Sequence, residues 1–138
     1  MATASLDKSA VLHGFNSHFF DFIDDIISVF PDNAVLAKSR ISFETIKKAN
    51  PTIIAKAWYK FVYYPYKDII AAGNIQFIYE KDFTEDLSGL HNADKIMKSI
   101  DTLREPIKNM SDANKQHTMK YIQNLSELSI LYADLANL

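Results

Sequence analysis

A histidine and two aspartates near the amino end have the residue types and the spacing of a metal site. His18, Asp21 and Asp25 follow one another at intervals of three and four residues, which places side chains along one side of a helix. Further ligands would have to come from another helix, such as Glu44 or Asp68. The paired Glu-x-x-His motifs of di-iron bundles do not occur in the sequence. We therefore interpret this face as a solvated acidic surface with one polar histidine, and expect no metal and no cofactor.

No other set of residues has the spacing of a catalytic site. The remaining histidines, His13, His91 and His117, fall in different parts of the chain. No serine has the flanking glycines of a nucleophile elbow, and three scattered glycines cannot build a phosphate-binding loop. A Ser–His–Asp set drawn from distant positions is available by chance in any chain of this composition. Catalysis is therefore the third-ranked function, and we expect a protein that is not an enzyme.

Between positions 50 and 73, tyrosines and lysines share one side of a predicted helix. Tyrosine rings among lysines can stack bases and pair with phosphates, or can form a protein interface. They can also line the solvent-exposed margin of a helix that packs in the core, and packing is the most common role of aromatic residues at helical spacing. All three interpretations stay open at this point. The candidate interaction residues, named here the Tyr-Lys margin, are Lys56, Tyr59, Lys60, Tyr63, Tyr66 and Lys67.

The same stretch is predicted to supply the centre of the core. Ile54, Trp58, Phe61 and Val62 take a neighbouring side of the helix. Aromatic side chains bury the largest area per residue, and this is the densest aromatic run in the chain. We therefore expect Trp58 to be buried.

Charge is unevenly distributed over the predicted helices. Acidic residues concentrate on the first helix and basic residues on the second and third, so an exposed arrangement would be bipolar. A bipolar surface favours association with another protein over binding to a polyanion, which the acidic face would repel. The residues concerned are Asp21, Asp24, Asp25, Lys47, Lys48, Lys56 and Lys60.

The spacing of apolar residues and the capping residues predict the helices that position these groups. The first helix is predicted at 7–30 with Asp7 as cap, and the second at 33–49. For the second, the spacing leaves open whether Val35 or Leu36 is the buried residue. The third is predicted at 51–64, after which Pro65 interrupts or kinks the chain before it continues to Gly73 as terminator.

The second half of the chain is predicted to be helical as well. We expect a helix at 74–80, a loop at 81–92, a helix at 93–104 that ends before Pro106, and a last helix from Asp112 nearly to the end. Ser111 is the expected cap of the last helix, whose apolar stripe runs from Tyr121 to Leu135. Residues 1–6 are expected to be frayed. The prediction is an all-α fold, a single compact domain of five or six helices over residues 1–138.

Composition limits the class of protein. With 138 residues, 48% of them hydrophobic, the chain has the size and apolar content of one domain. A net charge of −2 argues against indiscriminate binding to nucleic acid through a large basic surface. No segment approaches the length of a membrane span, no secretory signal is visible, and cysteine is absent. We expect a soluble intracellular protein.

Four short segments in order along the chain resemble a known group of sequences. They are Ile-Ser-Val-Phe-Pro-Asp at 27–32, Lys-Lys-Ala-Asn-Pro at 47–51, Tyr-Pro-Tyr-Lys-Asp at 64–68 and Met-Lys-Tyr-Ile-Gln-Asn-Leu at 119–125. Together they resemble an uncharacterised family of small helical proteins of large DNA viruses of algae and protists. The resemblance implies a location in the virion or the host cytoplasm, but no catalytic residue.

These observations favour a structural or adaptor protein. The resemblance points to a minor virion or capsid component, or an assembly partner, that binds other proteins. The alternative is a nucleic-acid-associated accessory protein that uses the Tyr-Lys margin.

Overall fold

The amino-terminal helix begins at the residue that its cap predicts. In the computed structural model, which describes residues 7–76 and 102–138, helix α1 spans Lys8–Val29. The Asp7 side chain accepts a hydrogen bond of 3.0 Å from the backbone N–H of Ser9, which satisfies one of the free donors of the first turn. Phe15, Phe19, Phe22 and Ile26 of α1 are buried, so the predicted apolar stripe faces the core.

Helix α2 spans Ala34–Ala49 and begins after a tight turn. The Asn33 side chain accepts hydrogen bonds from the backbone N–H groups of Val35 and Leu36, which fixes the start of the helix. Leu36 is fully buried whereas Val35 is 53% exposed, which settles the choice that the spacing left open.

The predicted third helix is divided into three parts. Helix α3 spans Ile53–Ala57, a π-helix spans Trp58–Tyr63, and α4 spans Tyr64–Ala72. The start is later than predicted because Asn50 caps a turn, in which its side chain accepts from the N–H and hydroxyl of Thr52. The predicted interruption at Pro65 is confirmed, since Tyr66 has the non-helical angles φ −121° and ψ 21°. Gly73 ends α4 with φ +75°, as predicted.

The carboxyl-terminal helix is the longest of the described elements. Helix α5 spans Asp112–Ala136, and the Ser111 hydroxyl accepts a hydrogen bond from the N–H of Asn114. Its stripe differs from the prediction at Leu135, which is 38% exposed because it lies in the last turn. Before α5, residues 102–108 are helical, so the predicted helix end before Pro106 is wrong. Pro106 is buried inside this segment.

Trp58 lies at the centre of the core, as predicted. Its indole is 9% exposed and meets the rings of Phe15, Phe19 and Phe22 edge-on, at centroid distances of 6.3, 6.4 and 6.5 Å. The indole N–H donates to the Ser126 hydroxyl at 3.0 Å, so its one polar group is satisfied. Through this one side chain the π-helix contacts α1 by the three ring contacts and α5 by the hydrogen bond to Ser126.

The all-α prediction is confirmed: all regular structure in the described residues is helical, and buried residues of these helices form one core. The predicted fraying of residues 1–6 lies outside the described residues. The same holds for residues 77–101, which cover most of the helices and the loop predicted between 74 and 104, and for the side chain of Phe61. In the part of the chain that the structure describes, no helix has the length and apolarity needed to cross a membrane.

Candidate functional site

Three tyrosines cluster at the surface of the π-helix and the start of α4. The rings of Tyr59 and Tyr63 stack with centroids 6.0 Å apart and planes 23° apart. The ring of Tyr64 lies 6.3 Å from that of Tyr59 at a tilt of 59°. We name Tyr59, Tyr63 and Tyr64 the tyrosine cluster. Tyr64 is 60% exposed and the other two are partly exposed, so the cluster combines aromatic area with access to solvent.

The π-helix explains why the third ring belongs to the cluster. The backbone N–H of Tyr64 bonds to the carbonyl of Tyr59, five residues earlier. A π turn holds more residues than an α turn, so residues four and five positions apart come to the same side. The sequence prediction assumed α-helical spacing and therefore missed Tyr64. Pro65 was the residue in the sequence that could have indicated the irregular turn, because in a regular α-helix its ring would clash with the carbonyl of the residue four positions earlier.

The predicted members of the Tyr-Lys margin separate into two groups. Lys60 and Lys67 are exposed beside the tyrosine cluster, and the Lys67 ammonium lies 5.2 Å from the centroid of Tyr64. Lys56 is partly buried, one turn earlier on α3. Tyr66 lies at the kink and packs against the hydrophobic core, as the partly buried Tyr63 also does. Tyr63 therefore joins the surface cluster to the core.

A groove continues from the tyrosine cluster between α4 and α5. Its volume is about 380 Å³, with Tyr63, Lys67 and Ile70 on one wall and Gln123 and Glu127 on the other. The Gln123 amide donates to the carbonyl of Ile70 at 2.9 Å and ties the two walls together. The accessible lining of the groove is more polar than apolar, with Lys67 exposed on one wall and Glu127 exposed on the other.

The acidic face of α1 packs on α5 in a way that the sequence did not predict. The ring of His18 lies 4.9 Å from that of Tyr121, and its Nε2 atom is buried without a hydrogen-bond partner among the described residues. His117 of α5 approaches Asp25, with 3.5 Å between Nε2 and Oδ1. Burial, and then the charges of Asp25 and Asp21, raise the pKa of Tyr121. Contact between two distant helices creates this cluster, so local spacing could not reveal it.

Within residues 7–76 and 102–138, no three His, Asp or Glu side chains converge closely enough to hold a metal ion. Glu44, which the sequence offered as a further ligand, instead accepts a hydrogen bond from Arg40.

The bipolar charge pattern is partly neutralised between α1 and α2. The Nε atom of Arg40 lies 2.6 Å from the Asp24 carboxylate, and Arg40 also pairs with Glu44. The hydrogen bond to Asp24 is the main cause that raises the pKa of Arg40. Asp24 is therefore not a free charge, whereas Lys60 and Lys67 remain exposed beside the tyrosine cluster.

Comparison of the chain with protein family models, with curated proteins and with solved structures finds no match. We therefore infer the function from the geometry of the chain itself.

Proposed function

We propose that the protein is a non-enzymatic helical adaptor or structural protein that binds another protein through the tyrosine cluster. The observation that carries the proposal is the packed surface array of Tyr59, Tyr63 and Tyr64. Tyrosine presents a large apolar ring with a polar tip, which suits a surface that is dry when bound and wet when free. Tyrosine is also enriched among the residues that dominate binding energy at protein interfaces.

Preorganisation makes this array more effective than three separate rings. Tyr59 packs between Tyr63 and Tyr64, so its rotamer is restricted before a partner arrives. Association costs roughly 0.5–1.5 kcal/mol for each side chain that must be immobilised, and an already ordered ring avoids part of that cost. The partly buried Tyr63 anchors the array to the core.

Lysines form the rim of the proposed interface. Lys60 and Lys67 are exposed at the cluster, and charges in such positions act mainly on the rate and the salt dependence of association. The resemblance to proteins of large DNA viruses supports a setting in the virion or the host cytoplasm, where the partner would be a capsid or other virion protein.

The first test removes the exposed rings without disturbing the core. We expect the Tyr59→Ala/Tyr64→Ala double variant to weaken partner binding by at least about 1–2 kcal/mol, which is roughly 5- to 30-fold in Kd. The matched control is Ile41→Ala on α2, which removes an apolar residue that is 62% exposed away from the cluster. Each form of the protein is cross-linked inside cells that produce it. The candidate partners are the proteins that cross-link to the wild type and to the control but not to the double variant.

The second step measures the candidates as purified proteins by titration calorimetry. Circular dichroism must show that all variants keep the wild-type helicity. Equal affinity of folded wild type and double variant for every purified partner would refute the proposed surface. Strongly salt-sensitive binding of wild type to a single-stranded oligonucleotide, lost in the double variant, would favour the nucleic-acid alternative instead.

A further inference from the structure

Buried residues of the π-helix and α4 recur at a spacing that a regular α-helix cannot keep on one side. Trp58, Val62 and Ile70 are buried and Tyr66 packs against the core, so core positions repeat every four residues. Trp58 and Ile70, at the two ends of this series, are both hydrogen-bonded to α5. The twelve positions from Trp58 to Ile70 would leave the two ends about 120° apart around a regular α-helix. A turn with more residues than an α turn is therefore needed between them, and the π-helix supplies it.

The position of Pro65 explains why this wide turn lies at 58–63. Residue 65 of a regular α-helix would donate its backbone N–H to the carbonyl of Phe61; proline has no such N–H, and its ring clashes with that carbonyl. The structure avoids this geometry, because the turn directly before Pro65 is closed by a bond from the N–H of Tyr64 to the carbonyl of Tyr59. The core thus determines that an extra residue is needed, and Pro65 determines where it is placed.

The location of the wide turn decides which way Tyr64 faces. With the wide turn before Pro65, the ring of Tyr64 lies 6.3 Å from the ring of Tyr59. If the α-helix continued unbroken to residue 65, Tyr64 would point about 140° away from Tyr59. Tyr63 behaves differently, because four residues separate it from Tyr59, and either kind of helix keeps these two rings, here 6.0 Å apart, on neighbouring sides.

We propose that Pro65 is a positioning residue that holds Tyr64 in the tyrosine cluster. Alanine at this position can donate to the carbonyl of Phe61 and has no ring to clash with it. Because Ile70 still has to reach the core, the extra residue then moves towards the carboxyl end, where Tyr66 already has the non-helical angles φ −121° and ψ 21°. The consequence for partner binding rests on the proposed function, whereas the consequence for the tyrosine rings does not.

Nuclear Overhauser effects between the tyrosine rings test the inference without a partner. The sample is the full chain with isotope-labelled tyrosine, and the ring signals are assigned by replacing each tyrosine in turn with phenylalanine. In Pro65→Ala the effect between Tyr59 and Tyr64 should disappear, whereas the effect between Tyr59 and Tyr63 should remain as the internal reference. Persistence of both effects would show that the core alone places the wide turn, and would overturn the proposal.

Pro31→Ala is the matched control, because Pro31 is an exposed proline in the turn between α1 and α2. Both ring contacts should persist in this variant. The urea midpoint of Pro65→Ala should not fall below that of wild type, since alanine is favoured over proline inside a helix. A lower midpoint together with loss of both ring contacts would show that Pro65 supports the fold in general, and would also overturn the proposal.

Calorimetric titration with the partner purified after the cross-linking comparison shows whether Pro65 acts through Tyr64. Pro65→Ala should weaken binding about three- to tenfold, and no more than Tyr64→Ala does. The combined variant Pro65→Ala/Tyr64→Ala should bind as Tyr64→Ala does, because a residue that acts only through the Tyr64 ring has no effect once that ring is absent. A further loss of about threefold or more in the combined variant would show that Pro65 affects binding by another route, and would contradict its positioning role.

The two proposals fail in different ways. If Pro65→Ala loses the contact between Tyr59 and Tyr64, but this variant and Tyr59→Ala/Tyr64→Ala bind every purified partner with wild-type affinity, Pro65 positions Tyr64 and the proposed function fails. If Pro65→Ala keeps that contact and Tyr59→Ala/Tyr64→Ala loses the partner, the proposed function stands and Pro65 is not a positioning residue.

Discussion

Trp58→Ala should destabilise the protein more than any substitution on its surface. The indole is 9% exposed, meets three phenylalanine rings edge-on and donates to Ser126. Replacing a buried Trp by Ala typically costs about 3–5 kcal/mol, from lost burial and the cavity left behind. A domain of this size has a total stability of only about 5–15 kcal/mol, so the folded variant should be marginal.

Urea unfolding followed by far-ultraviolet circular dichroism is the appropriate assay, because the variant has no tryptophan to report by fluorescence. With an m-value of about 2 kcal/mol/M, a loss of about 4 kcal/mol would lower the urea midpoint by about 2 M. In the wild type, Trp58 emission should be blue-shifted when folded and move to longer wavelength through the same transition. A loss below about 1 kcal/mol, together with solvent-like emission, would refute the central position of Trp58.

The hydrogen bond from the indole permits a second measurement on the same site. Ser126→Ala removes the acceptor and leaves the buried N–H of Trp58 unpaired, which should cost about 1–3 kcal/mol. Ser28→Ala is the control, because the hydroxyls of Ser28 and Ser126 both donate to a backbone carbonyl, but Ser28 is exposed. The change in the free energy of unfolding for Ser28→Ala should therefore stay within about 0.5 kcal/mol. Equal losses of stability in the two variants would show that the hydrogen bond from the indole to Ser126 adds nothing beyond what the exposed Ser28 hydroxyl contributes.

Three further measurements test other parts of the structure. Gly73→Ala should destabilise the protein by about 1 kcal/mol because Gly73 has φ +75°, which favours glycine. Gly14→Ala should stabilise it by about 0.5–1 kcal/mol, because Gly14 lies inside α1 and an added Cβ would meet open space. Urea midpoints of the two variants that move in the same direction would contradict this pair of predictions. Burial raises the pKa of Tyr121 above its unfolded value near 10, so its contribution to stability is complete below about pH 10 and is lost as pH rises through the folded pKa. The free energy of unfolding of wild type should therefore fall more steeply above about pH 10 than that of Tyr121→Phe, and parallel curves would exclude the effect. Prolonged treatment with a chelator should leave helicity and Tm unchanged; a large loss restored by one metal would contradict that expectation.

Helix ends were predictable from sequence where a single side chain determines them. Asp7, Asn33 and Ser111 each accept a hydrogen bond from a backbone N–H two or three residues later, so the interaction is local and visible in the chain. Gly73 was predictable for a similar reason, since a left-handed residue at a helix end strongly favours glycine. Where two adjacent apolar residues competed for burial, as Val35 and Leu36 did, only the packed structure decided between them.

The candidate site was only partly predictable because its members depend on contacts between distant segments. Tyr59, Tyr63 and Lys67 were identified from intervals of four residues, which keep side chains on neighbouring sides of either kind of helix, and Lys60 was identified as their neighbour. The groove requires α5 to lie beside α4, a contact that joins residues such as Ile70 and Gln123 across 53 positions. Helical periodicity within one segment contains no information about such a pairing.

The π-helix connects the stability of the core to the geometry of the proposed binding surface. In a regular α-helix, residues five apart differ by about 140° around the axis, so Tyr64 would point away from Tyr59. The i to i−5 bond from Tyr64 brings the two rings together while Trp58, at the start of the same turn, stays in the core. A variant that removes Trp58 therefore loosens the support of the tyrosine cluster as well as the core. Loss of partner binding in such a variant cannot be assigned to the surface, whereas loss in Tyr59→Ala/Tyr64→Ala can, because that change leaves the Trp58 contacts in place.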